Sequence, residues 1–171
     1  RSQMPGSIDR LDELLKRHKN KRFHLFAAQA NYSYAFGFIE DDDKNQALIL
    51  YHKAYKHGLQ ALSVYGVTAA DLTGKSPDLR RKVSSLPKSA VGALYWTSLS
   101  WARMIELSQP DIFQVSQLHK TAILMDQVIK LDANYQLGGA YLFYAVYYAS
   151  QPVLLGRNDE LAMTYFEKAR K

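Results

Sequence analysis

At 171 residues the chain is long enough to bury roughly 70% of the surface its unfolded form exposes, and 47% hydrophobic against 22% charged residues is an ordinary globular balance. Lys and Arg number 22 against 16 Asp and Glu, a net charge of +6, but Lys16, Arg17, Lys19, Lys21 and Arg22 crowd into one stretch that reads as a solvated helix end rather than a nucleic-acid surface. Cysteine is absent, which excludes disulfides and thiolate metal sites, and no apolar run reaches the ~18 residues of a membrane span.

A first helix is expected to start at Ser7, a capping residue, with Asp9 in its first turn and Ile8, Leu11, Leu14 and Leu15 on its apolar stripe. A second spans about residues 23–39 and ends at the charged turn Asp41-Asp42-Asp43; a third spans 45–64. Gly66, Gly74, Pro77 and Pro87 mark an irregular bridge with a short helix near 78–84. Helices resume over 88–107 and 111–131, divided by Gln109-Pro110, and again over 134–150 and 158–171. No stretch shows strand-type alternation, so the fold class is all-α, built from antiparallel helical hairpins. The expectation is a single α-helical domain over 1–171, and its abrupt end inside a helical pattern at Lys171 means it could be truncated at one or both ends.

The hairpins repeat loosely. Ala47, Tyr51 and Ala54 fit A-x3-[FY]-x2-A, Ala162, Phe166 and Ala169 fit it again, and Thr121, Met125 and Val128 are a degenerate copy. This resembles the second helix of a tetratricopeptide repeat, where small residues let the partner helix approach. The steps of 74 residues from Ala47 to Thr121 and 41 from Thr121 to Ala162 depart from the ~34 of that repeat, so irregular tetratricopeptide-like hairpins in an α-solenoid or bundle are expected.

Residues that carry chemistry are sparse. None of His18, His24, His52, His57 and His119 pairs at the i, i+4 spacing of a helical zinc site, and the Asp41–Asp43 run lacks the alternating ligands and glycine of a calcium loop. Phosphate cradles, nucleophile elbows and carboxylate pairs are also missing from the pattern, so the expectation is a non-enzyme with no cofactor and no metal. Aromatic density is the unusual feature. In "ALYWTSLSWARMIEL" and "LGGAYLFYAVYYAS", Tyr95, Trp96, Trp101, Arg103, Tyr141, Tyr144 and Tyr148 are the candidate lining of a partly polar cavity, with ordinary core as the competing reading. Arg103 reads either as an ion pair with Glu106 three residues on or as a clamp for an anionic group. Gly138-Gly139 weakens a helix, which close packing by a neighbouring helix would offset.

The order of these pieces, "ALYWTSLSWARMIEL" followed by "LDANYQLGGAYLFYAVYYASQPVLLGRNDELAMTYFEKA", resembles the T-component family of tripartite ATP-independent periplasmic (TRAP) transporters over about residues 45–170. That family has a Tyr-Trp pair in a central helix, Leu-Asp before a Gly-rich helix, and a Pro-x-x-Leu-Gly-Gly-Asp loop before an Ala-x3-Phe-x2-Ala helix. Here Arg157 replaces the second loop glycine and Asn158 the aspartate, although Asn158 can still cap the helix. The resemblance implies a periplasmic lipoprotein with a tetratricopeptide-like fold, its lipid anchor on a segment this chain lacks. It further implies a homotrimer that associates with the transporter's periplasmic solute-binding protein, with passage of a hydrophobic or carboxylate solute through a pore. On that basis the protein is read as a non-enzymatic accessory of solute uptake, with no nucleic-acid partner. The alternative is a helical-repeat adaptor for protein–protein interaction that has no solute ligand.

Overall fold

A computed structural model describes residue 13 and residues 21–108, 112–151 and 156–170. The expected helix from Ser7, the basic run 16–19, Gln109-Pro110 and the Pro152 end of the second loop lie outside the described residues. Everything regular among the described residues is helical, so the all-α class holds.

Helix α1, Lys21–Tyr34, runs directly into a π-helical turn, Ala35–Ile39. Ala27, Ala28 and Ala35 are fully buried, and their small side chains let α2 (Lys44–Ser63) lie close. Asp43 opens α2 by accepting from the Gln46 amide at 2.9 Å, which makes the charged turn expected here also the cap of the next helix. On the next face Ala47, Tyr51 and Ala54 are completely buried, as their spacing predicts. Gly58 completes that face: a Cβ there would come within 3.1 Å of the Thr97 Cα, so α2 and α5 meet almost backbone to backbone.

The bridge holds more helix than apolar periodicity reveals. Besides α4 (Ser76–Ser84), a short α3 (Ala69–Thr73) forms on a capping box in which Thr68 and Asp71 bond each other's backbone amides. Lys82 donates to the same Asp71 carboxylate at 2.7 Å and, with the Thr68 hydrogen bonds, pulls its pKa down to about 2. A 3-10 turn, Lys88–Ala90, leads into α5 (Val91–Leu107), the central helix, which packs on α1, α2 and α6 (Ile112–Asp132). Leu94 from α5 and Leu124, Met125 and Val128 from α6 are fully buried at its heart. Truncating one such Leu to Ala would cost about 2–5 kcal/mol.

The expected helix over 134–150 begins five residues late. Gln136, Leu137 and Gly138 have φ of 51°, 55° and 75°, so three consecutive residues turn left-handed before α7 (Gly139–Ser150) starts. Glycine takes that conformation freely, whereas Gln136 and Leu137 carry a penalty of roughly 1–2 kcal/mol each. Helix α7 packs on α6 and on α8 (Asp159–Ala169). Asn158 caps α8 by accepting from the Leu161 amide at 2.9 Å, and Gly156 supplies a positive φ, 104°, among the described residues of that loop. Arg157 stays out of the left-handed region and pairs with Asp159 at 2.9 Å, so replacing the second loop glycine costs no backbone strain.

Candidate functional site: an aromatic cleft between α1, α5 and α7

A cleft of about 230 Å³ opens where α7 leans across α5 toward the π-helical end of α1. Helix α7 supplies one wall with Gly139, Leu142, Phe143, Val146 and Tyr147, which recur at i, i+3, i+4, i+7 and i+8 and so share one face. Opposite stand Tyr95, Trp96, Leu99 and Ala102 of α5, with Tyr32 and Phe36 closing the end beside α1.

Rings set its shape. Tyr95 meets Trp96 edge to face at 5.0 Å and Tyr135 at 5.3 Å, and Tyr32 packs on Trp96 at 5.6 Å. The α7 wall comes this close only because its first residue lacks a side chain. A Cβ at Gly139 would fall within 2.9 Å of the Tyr95 Cζ and nearer still to its hydroxyl. Close helix packing is thus the compensation for Gly139, whereas Gly138 precedes the helix and serves the left-handed turn. Burial, with Tyr135 alongside, pushes the Tyr95 phenol up to about 12, and burial also raises Tyr32, so both hydroxyls stay protonated at physiological pH. The Trp96 indole N–H is buried and has no hydrogen-bond partner among the described residues.

The polar end of the cleft is an ion cluster. Arg103 and Glu106 pair within α5 at 2.5 Å, as their spacing predicts. The guanidinium is also gripped from a second side by Glu40, which the π-helical turn delivers: Oε1 accepts from Nη2, and Oε2 lies 3.3 Å from Nε. The Tyr51 hydroxyl donates to the same Glu40 Oε2 at 2.5 Å. Phe36 lies under the guanidinium, 5.9 Å from ring centroid to Cζ.

The seven sequence-predicted residues do not share one cavity. Tyr95, Trp96 and Arg103 line this cleft. Trp101 is on the far side of α5, packed 6.0 Å from Tyr55 and bordering a separate hollow with His52 and Gln114. Tyr141, Tyr144 and Tyr148 turn instead toward α8, where all three pack on Tyr165, at 6.4, 4.8 and 5.8 Å. Tyr144 is buried between helices, its hydroxyl against the Ala122 carbonyl at 2.9 Å and the Asp126 carboxylate. Burial and that carboxylate push its pKa far up.

Sequence reasoning missed Tyr32, Phe36, Glu40, Leu142, Phe143, Val146 and Tyr147. The α7 face was readable from its helical spacing, but nothing local ties Glu40 to Arg103, 63 positions away. Among the described residues no three His, Asp or Glu side chains group as metal ligands. His24 and His57 do approach, Nδ1 to Nδ1 at 3.2 Å, and burial first, then His57, lowers the His24 pKa. No described helix is long and apolar enough to cross a membrane. What the cleft can do chemically is remove an apolar body from water and present one ionic end to it.

An uncharacterized protein of Treponema pallidum (strain Nichols) is 23% identical over 130 residues, which cover 75% of this chain and 40% of that protein. The chain therefore spans less than half the length of that relative. The family model of the TRAP transporter T-component matches residues 1–171, and the chain belongs to that family.

Proposed function

We propose that the protein is a non-enzymatic accessory of TRAP transport that binds the system's periplasmic solute-binding protein and receives the apolar part of a small solute in the cleft between α1, α5 and α7. The family carries the first half of this reading, since a T-component implies association with the TRAP system. A periplasmic site of action, a lipid anchor, a homotrimer and tetratricopeptide-like stacking belong to the same proposal. One observation carries the second half: Leu99, Leu142 and Val146 face an unfilled space whose other walls are mainly aromatic, with Arg103 and Glu106 at one end.

Two measurements test it. The full-length protein, captured from its own envelope, is expected to bring down a TRAP solute-binding protein in stoichiometric amount; its absence from the capture would sink the partner assignment. Val146→Trp places an indole where the half-exposed Val146 borders the cleft. It is expected to weaken binding of decanol, a neutral apolar probe, at least tenfold while the helical circular dichroism signal is unchanged. Decanol binding indifferent to this substitution would remove the cleft from the function.

A further inference from the structure

The charge at the polar end of the cleft names the kind of solute head group it accepts, an inference that rests on the cleft being the solute site. Arg103 is the one cationic side chain among the described residues that line it. A cation beside an apolar pocket ordinarily suggests a carboxylate ligand. Here the guanidinium is already committed: Nε and Nη2 face Glu40, and Nη1 faces Glu106. Two carboxylates around one guanidinium leave the cluster with one negative charge in excess. A ligand carboxylate would have to displace one of them or sit beside both, and like charges brought together at a binding site are repelled.

Acceptor capacity is, by contrast, free. Glu106 uses Oε2 for Arg103, and its Oε1 makes no hydrogen bond among the described residues, while its side chain lines the cleft and keeps 28% of its surface exposed. Tyr32 and Phe36 close the same end, stacked on each other at 6.0 Å, and the Phe36 ring already carries the Arg103 guanidinium, so the two rings supply an apolar wall there rather than a second cation site. Tyr32 and Tyr95 stay protonated, so they add hydrogen-bonding capacity without adding charge. The Trp96 indole N–H is a donor that could suit an anion, but it is sealed from solvent and cannot reach the opening.

We infer that the cleft selects an amphiphile whose apolar chain ends in a protonated amine over one that ends in a carboxylate, with Glu106 as the residue that receives the ammonium.

The test compares three ten-carbon probes on the full chain at pH 7 and low salt, below their aggregation concentrations: decylammonium, decanol and decanoate. Titration calorimetry should rank them in that order, with decylammonium at least tenfold tighter than decanoate, equivalent to about 1.4 kcal/mol. Glu106→Gln removes the accepting charge and should shrink the gap between amine and carboxylate severalfold. Decanoate binding as tightly as the amine, or a preference that survives Glu106→Gln in a folded variant, overturns the inference. Should the variant not fold, the wild-type ranking decides alone. Decanol binding with no amine preference defeats this inference but leaves the cleft as a solute site. Failure of all three probes to bind defeats both.

Discussion

Two tyrosine-rich regions lie on opposite sides of α7, and they were built to different ends. Toward α8, Tyr141, Tyr144 and Tyr148 close on Tyr165, and the Tyr144 hydroxyl is used up by Ala122 and Asp126, so aromatic rings here are mortar. Toward α5, rings of the same chemistry stand edge to face around a space that nothing in the described chain fills. The difference lies in what the neighbouring helix presents. Tyr165 fills the α8 side, whereas on the α5 side a cleft stays open between Leu99 and Ala102 of α5 and Leu142 and Val146 of α7. Aromatic density therefore does not distinguish core from cavity; whether the opposing helix closes on the rings does.

That contrast can be broken most directly by truncation on each side. Tyr144→Ala removes a buried ring and should cost about 3–5 kcal/mol in denaturant unfolding. Leu142→Ala, on the cleft side and half-exposed, should cost less than about 1 kcal/mol. Equal losses would mean that the cleft wall is as tightly packed as the α8 interface.

Arg103→Met keeps the stem of the side chain and removes the charge, which leaves Glu40 partly buried with only the Tyr51 hydroxyl as a strong donor. The expected loss is about 1–3 kcal/mol, lowered from that of a sealed pair because the side chains keep some exposure to water. A stability unchanged within error would show that the cluster is a surface pair and cannot hold a fixed charge at the cleft.

The smallest effect sharpens the account of how α7 is aimed. Leu137 is 95% exposed and left-handed, so Leu137→Asn loses no packing and places a residue that tolerates this conformation. A gain of about 0.5–1 kcal/mol is expected, read as a higher melting temperature. A loss would mean that the leucine has a role that its exposure conceals.

Much of this architecture was readable because helices announce themselves locally. Asp43 and Asn158 cap helices where their side chains allow it, and Ala47, Tyr51 and Ala54 are buried as their spacing predicts. The Thr68-x-x-Asp71 capping box carried an equally local signal, which a search by apolar periodicity passes over. The late start of α7 was not legible, since neither Gln136 nor Leu137 is a turn-forming residue and only Gly138 hints at positive φ. The cleft was half legible: its α5 wall stood out as aromatic, but helical spacing alone could not say which of the two faces of α7 would oppose it. Glu40 was beyond reach, because its partner is chosen by tertiary packing.

The grip of Glu40 on Arg103 also bears on the order of assembly. It joins positions 63 apart, whereas α7 meets α8 across one short loop. Closing a longer loop costs more chain entropy, so contacts between distant positions form after local ones have reduced the search. The ionic end of the cleft is therefore a late addition to a scaffold of helix pairs, and weakening it should hasten unfolding while refolding keeps its rate. Stopped-flow measurements on Arg103→Met would show this as a shift confined to the unfolding limb. A slowed refolding limb would instead put the cluster in the nucleus. A cluster that forms late is one whose charge can be altered without disturbing how the chain folds.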